Sequence, residues 1–145
     1  MAHHLERVAT FSKEEVLPFV PEWSNRTTVI KRFAGHKISL SRLRYRMFAL
    51  KGTRCVKCGI EGTFLALERH KDAKEKGKEK KYHFNVYAID SNGEEVMLTV
   101  DHIKPRSKGG TNKMKNLQPM CESCNVEKAD SIQPQLVFPF FQMCS

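Results

Sequence analysis

Four cysteines, arranged as two Cys-x-x-Cys pairs, constrain this chain more than any other feature of its sequence. Cys55 and Cys58 form the first pair, and Cys121 and Cys124 form the second. A Cys-x-x-Cys turn presents two sulfur ligands together, and four thiolates make the tetrahedral site that structural zinc prefers. The long segment between the pairs must itself fold, so zinc would hold both ends of one domain together. Redox-active or free buried thiols are the alternatives.

The length of the chain makes such a staple important. A chain of 145 residues is expected to form one domain with a modest apolar core. Structural zinc binds small finger peptides with about 10–16 kcal/mol, which is comparable with the roughly 5–15 kcal/mol that stabilise an ordinary domain. Loss of zinc is therefore expected to unfold much of the protein.

The charge balance predicts a polyanionic partner. Lys and Arg number 25 against 16 Asp and Glu, which gives a formal net charge of +9. Nucleic acid is the natural candidate, and a merely soluble basic protein is the alternative. No apolar run approaches the roughly 20 residues of a membrane span, and the first residues lack the apolar run of a secretory signal. We therefore expect a cytoplasmic protein without a membrane partner, a compartment in which such cysteine pairs rarely form disulfides.

The chain divides by composition into three parts. Residues 1–50 are predicted to form an N-terminal arm and a basic helix, and residues 51–130 the zinc-stapled core. Pro18 and Pro21 interrupt any long helix in the arm, which is expected to be irregular with short helical pieces. Residues 131–145 are predicted to be a C-terminal tail, in which the fifth cysteine, Cys144, has a packing role.

Residues 41–50 have the spacing of a short helix. Leu43 and Met47 recur on one face, Ser41 is placed to cap the helix, and Gly52 is placed to end it. Arginines on its outer face would pair with phosphate if the partner is nucleic acid, and plain solvation is the alternative. These arginines are Arg42, Arg44 and Arg46.

Three strand-like runs follow the first cysteine pair, at residues 63–68, 82–89 and 96–100. Asn92-Gly93 lies between the last two runs and is typical of a tight hairpin turn, because both residue types tolerate positive φ. The highly charged connection at residues 71–81 has no apolar anchor. We expect a loop or a frayed extension of the hairpin there.

The segment bracketed by the cysteine pairs carries the groups of a hydrolytic site. Asp101-His102-Ile-Lys-Pro-Arg-Ser-Lys-Gly-Gly is followed by Asn116-Leu-Gln and then by Cys121-Glu-Ser-Cys-Asn-Val-Glu-Lys. Carboxylate and amide oxygens are ligands for a hard cation, and an imidazole is a base. These motifs, in this order, closely resemble the HNH endonuclease family, especially its small zinc-containing members from phages and bacteria. The resemblance covers residues 55–128.

The resemblance implies an α+β fold built on the ββα-metal motif, or His-Me finger. In that motif a hairpin surrounds the Gly-Gly loop and one helix lies beneath it. A zinc site of four cysteines would staple this core, and the N-terminal extension would be mostly helical or irregular. The family also implies the cytoplasm of a bacterial or phage-infected cell.

Each family role falls on one residue of this chain. By resemblance His102 is the general base, and imidazole suits the role because its unperturbed pKa is about 6.5. Asp101 and Asn125 would hold the catalytic divalent ion, and Asn116 would orient the base across the loop. The third family position is Asn125 rather than histidine, an HNN pattern. Two oxygen ligands favour Mg²⁺ or Mn²⁺ over softer metals.

The implied function is a metal-dependent endonuclease that hydrolyses phosphodiester bonds in DNA, and double-stranded DNA is the expected partner. A zinc-dependent nucleic-acid-binding protein without catalysis is the alternative, and a thiol redox protein is a weaker one. Basic side chains around the site would contact the phosphates. They are Lys104, Arg106, Lys108 and Lys128.

Two geometric expectations apply to this site. Neighbouring residues on a strand point to opposite faces, so the strand should bend or end at Asp101 and His102 if both are to reach one phosphate. Residues spaced by three and four share one stripe of a helix, so zinc and the catalytic ion would share the last helix. The residues of that stripe are Cys121, Cys124, Asn125 and Lys128.

Overall fold

The computed structural model describes residues 4–71, 74–75, 78–79 and 81–128, which form a mixed α+β structure. Cys144 and the predicted C-terminal tail lie outside these residues. The elements, in chain order, are β1 (Leu5–Ser12), α1 (Lys13–Val16), β2 (Ile30–Phe33), β3 (His36–Ser39), α2 (Leu43–Lys51), β4 (Phe64–His70), β5 (Lys74–Glu75), β6 (Lys78–Glu79), β7 (His83–Ile89), β8 (Glu95–His102), β9 (Leu117–Cys121) and α3 (Glu122–Lys128). Short 3-10 turns lie at Leu17–Phe19, Arg106–Lys108 and Met114–Asn116.

A five-stranded antiparallel sheet with the order β1-β4-β7-β8-β9 forms the centre of the structure. The three predicted strand-like runs are confirmed as β4, β7 and β8. The predicted hairpin between β7 and β8 is also confirmed, because Gly93 has φ +79° and its amide donates to the Asp90 carbonyl oxygen at 3.0 Å. Within the charged connection, β5 and β6 pair as a small two-stranded ribbon.

The N-terminal extension is mostly sheet, so the prediction of a helical or irregular arm is wrong. β1 is an edge strand of the central sheet and pairs with β4, while β2 and β3 form a separate hairpin. Ala34 and Gly35 turn this hairpin, both at positive φ. Pro18 and Pro21 lie beyond β1 and therefore do not affect it. The strand lacks a local signal because it is stabilised by a partner that is distant in sequence.

The predicted basic helix is confirmed as α2, which packs on one face of the sheet. Its contact with the sheet includes one buried hydrogen bond, in which the Phe84 amide of β7 donates to the Tyr45 hydroxyl oxygen at 2.9 Å. Apolar burial is the main stabilising term for a helix of this length, since isolated short helices are marginal in water. The buried apolar residues of α2 are Tyr45, Met47 and Phe48.

The ends of α2 agree with the prediction at one terminus only. Gly52, at φ +89°, ends the helix as predicted. Ser41 does not cap it, because Arg42 is the N-cap residue and makes no side-chain capping bond. The Ser41 hydroxyl oxygen instead accepts from the Val29 amide at 2.7 Å, so it fixes the segment before the β2–β3 hairpin.

A buried carboxylate, Glu68 of β4, organises the opposite face of the sheet. It accepts hydrogen bonds from Arg7 Nε, Asn85 Nδ2 and the Tyr87 hydroxyl, each at 2.7 Å. Burial and the Glu68 carboxylate raise the pKa of Tyr87, which keeps its hydroxyl a donor. Buried charge is tolerated when it is paired and hydrogen-bonded in this way. Asp101 lies on the same face, toward the end of β8, because side chains alternate along a strand.

Hydrogen bonds between β1 and β4 join the predicted arm to the predicted core. The division of the chain near residues 50 and 130 stays a prediction. Among the described residues, no helix is both long enough and apolar enough to cross a membrane.

Candidate functional site

The four predicted zinc ligands come together in one cluster. Cys55 and Cys58 lie in a tight turn before β4, Cys121 ends β9, and Cys124 lies in the first turn of α3. Their sulfur atoms all lie within 4.8 Å of one another. The Val56 amide of the first turn donates to the Pro119 carbonyl oxygen of β9 at 3.0 Å, which holds the turn against the strand. The fold therefore unites both cysteine pairs.

The geometry of this cluster fits a tetrahedral thiolate site. Zinc–sulfur bonds of about 2.3 Å in a tetrahedron place the sulfurs about 3.8 Å apart, and Cys58 Sγ lies 3.8 Å from Cys121 Sγ. Burial, with the neighbouring sulfur atoms, raises the pKa of the Cys124 thiol far above its ordinary value. A cation at the centre would offset that cost, because it binds the thiolate form. The cluster suggests zinc.

Asp101, a predicted ligand of the catalytic ion, is almost fully buried, with 4% of its surface exposed. Its Oδ2 atom accepts from Lys128 Nζ at 2.7 Å and from Gln118 Nε2 at 2.9 Å. Lys128 Nζ also donates to the His102 carbonyl oxygen at 2.6 Å. Lys128 is itself 2% exposed. Its ammonium is therefore part of an internal ion pair that fixes Asp101 and the end of β8.

This placement differs from the prediction that Lys128 contacts DNA. Its charge is neutralised inside the protein by Asp101, and its side chain has no exposed surface. Net charge and sequence position gave no sign of this burial, since a lysine at the end of a short helix is usually solvated.

Asn125, the other predicted ligand, lies on the same side of β8. Its Nδ2 atom donates to Thr99 Oγ1 at 2.9 Å. Thr99 and Asp101 are two residues apart on β8, so their side chains share one face of the strand. Asn125 and Lys128 of α3 contact these two side chains. Asp101 of β8 and Asn125 of α3 thus lie on the same side of β8, where α3 packs against the strand.

Each of these two side chains keeps one oxygen atom outside the hydrogen bonds just described. In the described part of the chain, the bonds of the Asp101 carboxylate involve Oδ2, and the bond of the Asn125 amide involves Nδ2. A hard cation takes such carboxylate and amide oxygens as ligands. The donor types of Asp101 and Asn125 therefore suit a Mg²⁺-type ion, and the binding of one ion by both residues stays a prediction.

His102 is half-buried and is the last residue of β8, so the strand ends where it was expected to end. In the antiparallel pairing of β8 with β9, His102 lies opposite Leu117 and Asp101 lies opposite Gln118. The His102 Nε2 atom lies 2.7 Å from Asn112 Oδ1. The approach of Asp101 and His102 to one phosphate stays a prediction.

The loop after His102 is closed by Asn116. The Asn116 side chain accepts from the Lys104 amide at 2.8 Å and donates to the Thr111 carbonyl oxygen at 2.8 Å. It thus spans the loop, although the side chain in contact with the base is Asn112. At the Gly-Gly turn, a Cβ on Gly110 would come within 1.7 Å of the Lys104 carbonyl oxygen, so only glycine fits there.

The predicted basic contacts separate into exposed and internal groups. Arg46 is buried and donates through Nε to the Ser41 carbonyl oxygen at 2.8 Å, and half-buried Arg44 donates to Asn85 Oδ1 at 3.0 Å. Both arginines hold backbone and side-chain acceptors inside the protein. The predicted contacts that remain exposed are Arg42, Lys104, Arg106 and Lys108.

The predicted helical stripe is correct only in part. Cys121 belongs to β9, and α3 begins at Glu122, so the stripe on α3 contains Cys124, Asn125 and Lys128.

The sequence patterns did not indicate Lys51, which supports the loop that follows His102. Lys51, at the end of α2, donates to the carbonyl oxygens of Met114 and Leu117, each at 2.6 Å, and supports the loop from below.

A comparison with protein families found a match that overlaps this part of the chain. Residues 90–141 match the family model of HNH endonuclease. No curated protein and no solved structure shows significant similarity to the chain. Residues 90–141 are therefore similar to an HNH endonuclease domain, and nuclease activity, a nucleic-acid substrate and a divalent metal are proposals that rest on this match. The match includes the second cysteine pair, and the first pair lies upstream of it.

Removal of the cluster metal is expected to unfold the core. Cys124→Ser should lose stoichiometric zinc and most of its cooperative thermal unfolding, because structural zinc contributes about as much free energy as a small domain has in total. Zinc content by atomic emission and circular dichroism melts measure this. The control, Cys144→Ser, should keep both. Equal zinc content in Cys124→Ser and the wild type would exclude the four-cysteine site.

Loss of the buried Lys128 ammonium is expected to lower the free energy of unfolding rather than to weaken DNA binding. Lys128→Met leaves the Asp101 charge buried without its cation, so the free energy of unfolding should fall by about 3–5 kcal/mol. Exposed Lys115→Met should change it by less than about 0.5 kcal/mol. Urea unfolding measures both.

A double variant separates charge from packing at this pair. Lys128→Met combined with Asp101→Asn should be more stable than Lys128→Met alone, because no unpaired charge remains buried. If Lys128→Met unfolds at the same urea concentration as Lys115→Met, the internal ion pair has no structural role.

Proposed function

We propose that the protein is a metal-dependent DNA endonuclease that hydrolyses phosphodiester bonds, with His102 as the general base. One observation carries this proposal. Asp101 and His102 end β8, and Asn125 of α3 lies against the same strand, all within the residues that match the HNH endonuclease family. An acidic ligand and a base thus lie side by side in sequence at the end of one strand, and an amide ligand lies on the helix packed against that strand, which supports the proposal.

The ion-holding part of the site would use the two available oxygens of Asp101 and Asn125. When bound, a Mg²⁺-type ion supplies positive charge that stabilises the phosphate in the transition state. Lys128 and Gln118 hold the Asp101 carboxylate in place for this role through Oδ2. Preorganised ligands need no rearrangement when the substrate arrives.

His102 would act on the attacking water. The imidazole accepts a proton from the water while the water oxygen bonds to phosphorus and the bond from phosphorus to the leaving oxygen breaks. The resemblance to the family implies that the 3′ oxygen leaves and takes a proton from solvent, which gives 5′-phosphate and 3′-hydroxyl ends, and the imidazolium then returns its proton to solvent. Positioned bases of this kind contribute about 10²–10⁴-fold to rate.

Exposed cations beside the base would hold the DNA backbone. Lys104, Arg106 and Lys108 lie on the loop that follows His102, and all three side chains are exposed. Cations that neutralise phosphates give binding that weakens as salt rises. Arg42, at the start of α2, is the remaining exposed member of the predicted set.

Replacement of the base is expected to remove cleavage and keep binding. His102→Ala should cut supercoiled plasmid at least ~100-fold more slowly than wild type in Mg²⁺, because a positioned base contributes that much or more. Agarose gels measure the rate, and mobility shifts in EDTA measure binding. His36→Ala, which changes a histidine on β3, is the matched control and should cut normally.

A different result would favour the non-catalytic alternative. If wild type and His102→Ala both leave the plasmid intact at low salt, across Mg²⁺ and Mn²⁺, and both still shift it on a gel, the protein is a zinc-dependent DNA-binding protein and the proposal is wrong.

A further inference from the structure

Asn112 makes a contact with the proposed base that the sequence motifs do not predict. Its Oδ1 atom lies 2.7 Å from His102 Nε2. We infer that Asn112 is a positioning residue that fixes the ring orientation and the tautomer of His102, so that Nδ1 is the nitrogen that accepts the proton. The role of Asn112 in catalysis rests on the proposed endonuclease function, whereas the tautomer of His102 does not depend on that function.

The chemistry of the contact selects one tautomer. An amide oxygen has lone pairs and no proton, so it accepts a hydrogen bond and cannot donate one. Nε2 of His102 must therefore carry the proton in this contact. A neutral imidazole has a single N–H, which leaves the lone pair on Nδ1. The ring nitrogen with the lone pair is the one able to act as a base.

The backbone on both sides of Asn112 is held in place. The Thr111 carbonyl oxygen accepts from Asn116 Nδ2 at 2.8 Å, and the Lys113 carbonyl oxygen accepts from the Asn116 amide at 2.8 Å. The Lys113 amide also donates to Thr111 Oγ1 at 3.3 Å. Asn112 is an exposed loop residue, yet its main chain is fixed by a neighbour on each side. Its amide is therefore presented to the imidazole at low entropic cost.

Asn116 also fixes the main chain just after His102, at the end of β8. The Ile103 amide donates to the Asn116 carbonyl oxygen at 2.8 Å, and the Lys104 amide donates to Asn116 Oδ1 at 2.8 Å. Asn116 thus holds the residues just after His102 and the residues around Asn112 at once. It acts on the base through Asn112, without a hydrogen bond of its own to the imidazole among the described residues.

Nitrogen NMR of the histidine ring tests the tautomer directly. The zinc-loaded, ¹⁵N-labelled full chain without Mg²⁺ is observed by long-range ¹H–¹⁵N correlation, at a pH where the His102 ring is neutral. Wild type should show a protonated Nε2. Asn112→Ala should show a mixture of both tautomers, and Asn112→Asp, which keeps an oxygen acceptor, should keep Nε2 protonated. Asn92→Ala, in the β7–β8 turn, is the control and should match wild type.

Two results would overturn the inference. One is a wild-type ring protonated on Nδ1, and the other is an Asn112→Ala spectrum that equals wild type. Because the spectra need neither Mg²⁺ nor DNA, they remain interpretable if the protein proves not to cut DNA. A failed cleavage assay with the expected tautomer would count against the proposed function and not against the role of Asn112.

Cleavage kinetics then connect the contact to catalysis. Asn112→Ala should lower kcat by about 10–100-fold, by analogy with the loss of partners that orient metal-ligating histidines, and leave KM for the DNA nearly unchanged. Asn112→Asp should recover most of kcat. A loss confined to KM would show that Asn112 contacts the substrate and would overturn its role as a positioning residue.

Discussion

The approach of four sulfur atoms from two distant stretches is the constraint on which the rest of the site depends. One cysteine pair lies between α2 and β4, and the other lies at the junction of β9 and α3. The cluster therefore fixes where β9 ends and where α3 starts. The position of α3 depends on the sulfur cluster at its first turn and on buried Lys128, which pairs with Asp101 of β8.

The polar groups of the site divide into those that hold position and those that stay available for chemistry. Asp101 uses Oδ2 for Lys128 and Gln118, and Asn125 uses Nδ2 for Thr99. These internal bonds hold each side chain without involving its other oxygen. Three of the exposed cations of the predicted set, Lys104, Arg106 and Lys108, lie on the loop beyond His102, so the proposed DNA contact belongs mainly to that loop and not to the buried ion pair.

Local patterns in the sequence were sufficient for some features and insufficient for others. Alternation and Gly93 predicted β7, β8 and their turn, because these depend on neighbouring residues. Cysteine spacing predicted the sulfur cluster, because each Cys-x-x-Cys turn presents two sulfur ligands and a tetrahedral site needs four. β1 was not predicted because its partner strand, β4, is distant in sequence. Lys128 and Arg46 look like phosphate contacts in the sequence, since charge is visible there and burial is not. Asn112 has no local signature, and only the folded loop brings it to His102.

The direct passage from β9 into α3 has a consequence for the order in which this chain acquires activity. Asp101 and His102 are synthesised before Cys121, Cys124 and Asn125, which lie close together in the sequence. With zinc in the cluster, closure of the sulfur cluster would also bring the proposed second ion ligand against β8. A growing chain that has not yet reached Cys121 would therefore lack both the complete cluster and the proposed ion site.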